Sequence, residues 1–253
     1  RKKLEERKRP TSSLHHFAKF WLSAMASREI EGVVLVASME KERIILELWD
    51  MRSSEVLSYI WPHFRAVIFI SGTLTPLDAF AETVGLNEYV GKVIPSHYDK
   101  NRILSLLLED VTTRGETLEK EMAEKYVQAI VDFVNTVKTN TAIFTASYRI
   151  QEELIKAGLL KELNNFPVFQ EKRGLRGDKA RKILEKFKEI GRSGGQAVLI
   201  APMGGRFAEG ADYPGRELEA IFLVGIPFDR VTPRVKKYIE YYEKLYGCLL
   251  YTS

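Results

Sequence analysis

The sequence has few cysteines and no long apolar segment. Its 253 residues include one cysteine, Cys248, and no apolar run approaches the roughly 20 residues that a membrane-spanning helix needs. A single cysteine excludes an internal disulfide and a metal cluster held only by cysteines of this chain. The charged N-terminus lacks the apolar core of a signal peptide. We therefore expect a cytoplasmic protein without membrane contact.

Motifs for common nucleotide and metal chemistry are also missing. The sequence has no Gly-Lys-Ser/Thr, and hence no Walker A phosphate loop, and it has no Asp-Glu-x-His box. Its four histidines, His15, His16, His63 and His97, are scattered, and none is spaced with carboxylates as metal ligands are. The sequence therefore predicts no metal site in this chain and no complete triphosphate clamp.

Positive charge is local. Residues 1–9 hold six basic and two acidic side chains, a net +4 that equals the formal charge of the whole chain. A second basic stretch, residues 171–192, has nine Lys or Arg against four Asp or Glu. Such runs are typical of solvated helix faces, and contact with nucleic acid is the alternative interpretation.

Strand-like apolar runs alternate with amphipathic helices along the chain. The predicted strands are residues 33–37, 44–49, 65–70, 103–108, 141–145, 168–169, 197–200 and 220–225. The predicted helices are residues 14–27, 77–84, 117–137, 148–157, 179–190 and 233–246, and residues 85–99 form a linker. This alternation predicts an α/β fold with a mostly parallel sheet, whose ligands bind at the carboxyl ends of the strands.

Two polar loops directly follow predicted strands and carry hydroxyl groups. In residues 71–76, Ser71 and Thr73 flank Gly72, which would let backbone approach closely. In residues 146–149, Ser147 and Arg149 could bond phosphate while Tyr148 stacks on a base. Each loop could instead cap the helix that follows it with a Ser or Thr hydroxyl.

A third loop, GGRFAEGADYPG at residues 204–215, is rich in glycine. Gly204, Gly205 and Gly210 remove side chains where a phosphate could approach backbone N–H groups. Glu209 and Asp212 would repel phosphate, so we expect them to bond a ribose hydroxyl, a structural arginine or a metal-bound water. The other interpretation is a tight surface loop.

Four stretches together, SGTLTPLDAF, AIFTASYRIQEEL, GGRFAEGADYPGRELEAIFLVGIPF and TPRVKKYIEYYEKLYG, resemble the XPD-like DNA helicases of superfamily 2 in order and spacing. The resemblance implies part of an ATP-driven 5′ to 3′ helicase with RecA-like motor domains, acting in DNA repair. It places the end of the arch-like insertion at residues 1–29, the end of the first motor at 30–84, the linker at 85–99 and the second motor at 100–253.

The resemblance also implies roles for single residues. Ser71, Gly72 and Thr73 would couple nucleotide state to strand movement, and Glu209, Gly210 and Asp212 would face the nucleotide. The implied DNA contacts are Ser147, Tyr148, Arg149 and Arg206. The implied partners are single-stranded and forked DNA, ATP and the first motor domain of the same protein.

Several parts of such a helicase are missing from this sequence. The clamp for ATP and Mg²⁺, the cysteines of an iron–sulfur cluster and the arginine-rich motif VI are expected elsewhere in the full-length protein, so the chain alone is expected to be inactive. The final residues, 248–253, do not resemble the family. A non-catalytic nucleic-acid-binding or scaffold domain is the main alternative, and a stand-alone nucleotide-binding enzyme is a weaker one.

Overall fold

The computed structural model describes residues 12–40, 42–96, 98–113, 118–228 and 231–247, so His97, the basic residues 1–9 and the tail 248–253 lie outside the described residues. The described chain forms two compact units. One comprises the residues up to 102 and those from 231 onward, and the other comprises the residues from 103 to 228. The assignment of segments to an arch and two motors stays a prediction.

The second unit is built on a four-stranded parallel sheet of β3 (Thr141–Thr145), β4 (Val168–Gln170), β5 (Val198–Pro202) and β6 (Ala220–Val224). Their order across the sheet is β4-β5-β3-β6. The register aligns the carboxyl ends of three strands, because Thr145 lies opposite both Pro202 and Val224. The predicted α/β fold with a mostly parallel sheet is confirmed.

Helices cover both faces of this sheet. They are α4 (Lys120–Val137), α5 (Tyr148–Lys156), α6 (Leu159–Glu162), α7 (Gly177–Arg192) and the single turn α8 (Arg206–Glu209). Alternate residues of a strand point to opposite faces. Accordingly, Ile143 packs in one apolar cluster with α4, α5 and α6, while Phe144 packs in a second with α7 and α8.

The first unit holds a helix, an antiparallel hairpin and further helices. Its elements are α1 (Ser13–Ala26), β1 (Val33–Glu40), β2 (Arg43–Asp50), α2 (Ser53–Ser58), α3 (Leu77–Thr83) and α9 (Pro233–Tyr246). Helix α9 packs beside the hairpin, where the Tyr238 ring stacks on Trp49 with ring centres 6.0 Å apart. The final helix of the sequence therefore belongs to this unit rather than to the parallel sheet.

Two predicted strands are wrong. Residues 65–70 and 103–108 have no regular structure, and most of their apolar side chains are exposed, as the 90% exposure of Ile70 and the 85% exposure of Leu107 illustrate. A strand needs a neighbour for its N–H and C=O groups. No strand in the described part of the chain pairs with either segment. The other predicted strands and helices are confirmed, with ends shifted by a few residues.

Candidate functional site

Two of the three predicted loops meet at one edge of the parallel sheet. Residues 146–149 follow β3 and residues 203–215 follow β5, which is the neighbouring strand. The Met203 N–H donates to the Thr145 carbonyl oxygen at 2.8 Å, and the Ala146 N–H donates to the Val224 carbonyl oxygen at 2.8 Å. The ladder therefore continues past the strand ends and holds both loops side by side.

The loop at residues 71–76 lies in the other unit and follows no strand. The Thr73 N–H donates to Ser71 Oγ at 3.2 Å, and the two hydroxyl oxygens are 3.0 Å apart. Helix α3 begins after Pro76 without a side-chain cap. The helix-cap interpretation is therefore wrong for Ser71 and Thr73, and their coupling role stays a prediction.

Ser147 caps helix α5. Its Oγ accepts a hydrogen bond from the Ile150 N–H at 3.3 Å, as expected for a serine at a helix start. Arg149, on the first turn, lies 3.4 Å from the Glu153 carboxylate one turn later. The cap confirms the structural interpretation of Ser147, and DNA contacts by Ser147 and Arg149 stay predictions.

Tyr148 is half-buried and is held from two sides. Its hydroxyl donates to the Glu171 carboxylate at 3.0 Å, and the Arg173 guanidinium carbon lies 5.0 Å from the centre of its ring. Burial, and then the hydrogen bond to the Glu171 carboxylate, raise the pKa of the Tyr148 hydroxyl above its ordinary value. The ring position is therefore fixed by the residues that follow β4.

Glu171 is the residue that the sequence interpretation missed. It is only 3% exposed, and its two carboxylate oxygens accept the N–H groups of Arg206 at 3.1 Å and of Phe207 at 3.2 Å. It thereby caps the first turn of α8, in the loop that follows β5. The available signal was its place two positions after the predicted strand at residues 168–169, but that strand was only two residues long.

This carboxylate changes the interpretation of the glycine-rich loop. A side chain at Gly205 would place its Cβ 2.6 Å from Glu171 Oε2 and 2.9 Å from the Pro202 carbonyl oxygen. The amides after Gly205 point at Glu171, so phosphate approach is the wrong explanation for this glycine. Gly204 and Gly210 are exposed, and their predicted roles are unaffected.

The acids of the same loop lie at the surface. Glu209 and Asp212 are exposed, and within the described ranges their carboxylates form no ion pair. The expected structural arginine is therefore not found among the described residues. The backbone beside them is held, because the Lys188 ammonium donates to the Asp212 carbonyl oxygen. The Tyr213 hydroxyl donates to the Phe207 carbonyl oxygen at 2.5 Å, and burial raises its pKa. Both carboxylates therefore project from a fixed loop.

Three arginines lie near the edge of the parallel sheet where these loops meet. Arg206 is exposed, and its guanidinium lies over the start of α7, 3.6 Å from where a Cβ on Gly177 would sit. Arg149 follows Tyr148 in the same loop, and Arg173, on the segment after β4, lies over the Tyr148 ring. Arginines bond phosphate oxygens, and a tyrosine ring can stack on a base. Among the described residues, no group of three or more His, Cys, Asp or Glu could hold a metal ion.

The chain is similar to known helicases. Residues 130–248 match the family described as the helicase C-terminal domain. A probable ATP-dependent helicase of Methanocaldococcus jannaschii is 28% identical over 193 residues, which cover 72% of this chain and 28% of that protein. The general transcription and DNA repair factor IIH helicase subunit XPD of Schizosaccharomyces pombe is 24% identical over 208 residues, which cover 76% of this chain and 26% of that protein.

Solved structures agree on the fold. One XPD structure, titled as the apo form, has a TM-score of 0.54 at 15% identity and covers 95% of this chain and 46% of that chain. A second structure, titled as an XPD helicase, has a TM-score of 0.54 at 17% identity, and the match covers 92% of this chain and 39% of that chain. The chain spans about a quarter of the length of the curated relatives above.

Within the described ranges, every helix is too short or too polar to cross a lipid bilayer.

Proposed function

Because this chain carries a helicase C-terminal domain and is a relative of the XPD-like helicases, we propose that it is part of an ATP-dependent DNA helicase. The complete protein would couple ATP hydrolysis to 5′ to 3′ movement along single-stranded DNA and to the opening of forked duplexes. The DNA repair factor subunit among its relatives supports a role in repair. The cytoplasm is the compartment that we propose.

One observation carries the proposal. The loops after β3 and β5 share one edge of the sheet, and they present Tyr148, Arg149 and Arg206 beside the exposed acids Glu209 and Asp212. The first three suit a strand of DNA, and Ser147 lies on the same loop. Carboxylates repel phosphate, so Glu209 and Asp212, with Gly210 between them, suit a nucleotide-facing role through hydroxyl or water contacts.

The remaining parts of the activity need residues outside this site. ATP and Mg²⁺ would be held mainly by the first motor domain of the same protein, because this sequence has no Gly-Lys-Ser/Thr. An iron–sulfur cluster would have its cysteines elsewhere as well. Ser71, Gly72 and Thr73 would take part in coupling between nucleotide and strand movement.

The test uses the complete protein that contains this chain. We expect ATP hydrolysis that single-stranded DNA stimulates, and unwinding of a fork with a 5′ tail in preference to one with a 3′ tail. Asp212→Asn should lower the DNA-stimulated rate of ATP hydrolysis by about tenfold or more, because it removes the charge of a nucleotide-facing carboxylate. A tenfold loss corresponds to ~1.4 kcal/mol of transition-state stabilisation. Glu162→Gln, which also neutralises an exposed acid of the same unit, is the matched control.

Two results would count against the proposal. A complete protein that binds single-stranded DNA but hydrolyses no ATP would favour the non-catalytic binding or scaffold domain. Equal rates for Asp212→Asn and Glu162→Gln would remove Asp212 from the nucleotide side of the site.

A further inference from the structure

A single buried carboxylate joins the two loops of the candidate site. Glu171 Oε1 accepts from the Tyr148 hydroxyl at 3.0 Å and from the Arg206 N–H at 3.1 Å. Its Oε2 accepts from the Phe207 N–H at 3.2 Å. The side chain that holds the candidate DNA contact Tyr148 therefore also holds the turn that leads into Glu209, Gly210 and Asp212.

The backbone of Glu171 is fixed as firmly as its side chain. Its N–H donates to the Ile200 carbonyl oxygen of β5 at 2.9 Å. Its carbonyl oxygen accepts from Nε2 of Gln151 at 2.8 Å, and Gln151 is buried on α5, the helix that begins with Tyr148. Glu171 therefore cannot follow one loop without straining its bonds to the other.

Burial makes these bonds matter. A carboxylate removed from water is costly unless donors surround it, and here three donors supply that stabilisation, two of them the backbone N–H groups at the amino end of α8. If the Tyr148 hydroxyl moved away, Oε1 would lose one of its two donors. The carboxylate could then reorient on its two remaining donors, the Arg206 and Phe207 amides, and the turn carrying Glu209 would be held less firmly.

We infer that Glu171 is a positioning residue that transmits movement between the DNA-contacting loop at residues 146–149 and the nucleotide-facing loop at residues 203–212. This inference rests on the proposed function, because it takes Tyr148 as a DNA contact and Asp212 as a nucleotide contact. Neither the sequence motifs nor the two loops alone assign a role to the segment after β4.

The test measures coupling rather than activity. In the complete protein, the dissociation constant of a labelled oligo-dT is measured with and without a non-hydrolysable ATP analogue and Mg²⁺. The wild-type ratio should differ from one by about fivefold or more, within the usual range for coupled sites. Glu171→Gln places an amide N–H against one of the three donors, and Tyr148→Phe removes only the hydroxyl that donates to Glu171. In both variants the ratio of the two dissociation constants should lie within about twofold of one. Glu162→Gln should keep the wild-type ratio.

A second measurement tests the link without any helicase activity. Hydrogen exchange of a peptide covering residues 203–212 should accelerate in Tyr148→Phe, although position 148 is remote from that peptide in sequence. Tyr148→Phe keeps the two hydrogen bonds that the Glu171 carboxylate accepts from the Arg206 and Phe207 N–H groups. This variant therefore remains informative even if Glu171→Gln does not fold.

The outcomes separate the two claims. Wild-type protein without nucleotide binding or DNA binding contradicts the proposed function. Wild-type coupling that persists in both variants, with unchanged exchange of residues 203–212, contradicts the Glu171 inference alone and leaves Glu171 as a helix cap.

Discussion

Gly204 and Gly205 are adjacent in sequence, but the space around them differs. A Cβ at Gly205 would meet the Glu171 carboxylate at 2.6 Å and the Pro202 backbone at 2.9 Å, whereas a Cβ at Gly204 would meet only Glu209 Oε1 at 4.0 Å. Neither glycine has a positive φ. Only Gly205 is therefore required by packing, and Gly204 stays available for the predicted approach of a phosphate.

Gly205→Ala should therefore destabilise the protein while Gly204→Ala should not. Overpacking a filled site costs about 1–3 kcal/mol. An alanine in open space at an unstrained glycine position is neutral or stabilises by up to about 1 kcal/mol through the unfolded chain. Urea denaturation of both variants measures the difference. Equal unfolding free energies for the two would show that Glu171 and Pro202 yield easily.

Arg149 offers a second test on a single side chain. If its guanidinium contacts a phosphate, Arg149→Gln should weaken oligo-dT binding and reduce the slope of log K against log salt by about 0.7. Loss of its 3.4 Å pair with Glu153 is a minor effect, because surface pairs contribute at most about 1 kcal/mol. Fluorescence anisotropy over a range of KCl concentrations measures the slope. Lys161→Gln, an exposed cation on α6, should leave it unchanged.

At the scale of elements, the short 3₁₀ turn Gly215–Glu217 is joined to helix α7 by a charged cluster. The Glu217 carboxylate is 6% exposed and lies 3.1 Å from the Lys188 ammonium and 2.7 Å from the Arg192 guanidinium. Burial by itself raises the pKa of Glu217, but the ion pairs with Lys188 and Arg192 outweigh it and hold the pKa below its ordinary value of 4.5. The folded state therefore favours the charged form.

This cluster predicts a pH dependence of stability. Because the folded pKa of Glu217 is depressed, its contribution is present above the ordinary pKa and is lost as pH falls below about 4.5 toward the folded value. Glu217→Gln should cost about 2 kcal/mol near neutral pH, and this difference from wild type should shrink in acid.

Urea denaturation near neutral pH and in acid checks this prediction, with Glu219→Gln as the control. Glu219 is an exposed acid two residues away, so its substitution should change stability little at either pH. A Glu217→Gln difference that stays constant into acid would mean that the pKa of Glu217 is the same in the folded and unfolded states, which would contradict the depressed pKa.

Sequence patterns predicted most elements of the second unit, but they failed on residues 103–108 of that unit and on residues 65–70 of the first. Residues 141–145 were predicted to the residue, because a buried apolar run lies there between turn signals and has strands on both sides. Residues 65–70 carry a similar apolar run without a described neighbouring strand, and they form none. Apolar composition therefore indicates where a strand can form, while pairing decides whether it does.

The candidate site shows the same division. Strand-end rules predicted that residues 146–149 and 203–215 would share an edge, and the parallel register brings them together. They could not predict Glu171, because its importance lies in contacts with Tyr148, Arg206 and Phe207, which are 23 to 36 positions away. A tertiary hydrogen bond of this kind has no local sequence signature.

At the scale of the whole molecule, this chain should bind DNA without turning over ATP. Its second unit carries the candidate DNA contacts Tyr148, Arg149 and Arg206, while the sequence lacks the Gly-Lys-Ser/Thr that would hold a triphosphate. Single-strand affinity should be weak and should fall steeply with salt, since phosphate contacts release counterions.

Anisotropy with oligo-dT and a coupled assay for ATP hydrolysis, both on the purified 253-residue chain, check this expectation. The expected result is binding that weakens with salt and an ATP hydrolysis rate equal to that of buffer. Hydrolysis above that background, abolished by Asp212→Ala, would mean that the loop at residues 203–215 can act on nucleotide without the nucleotide clamp of the first motor domain. Such a result would revive the stand-alone nucleotide-binding enzyme, because the Asp212 dependence excludes a contaminating ATPase.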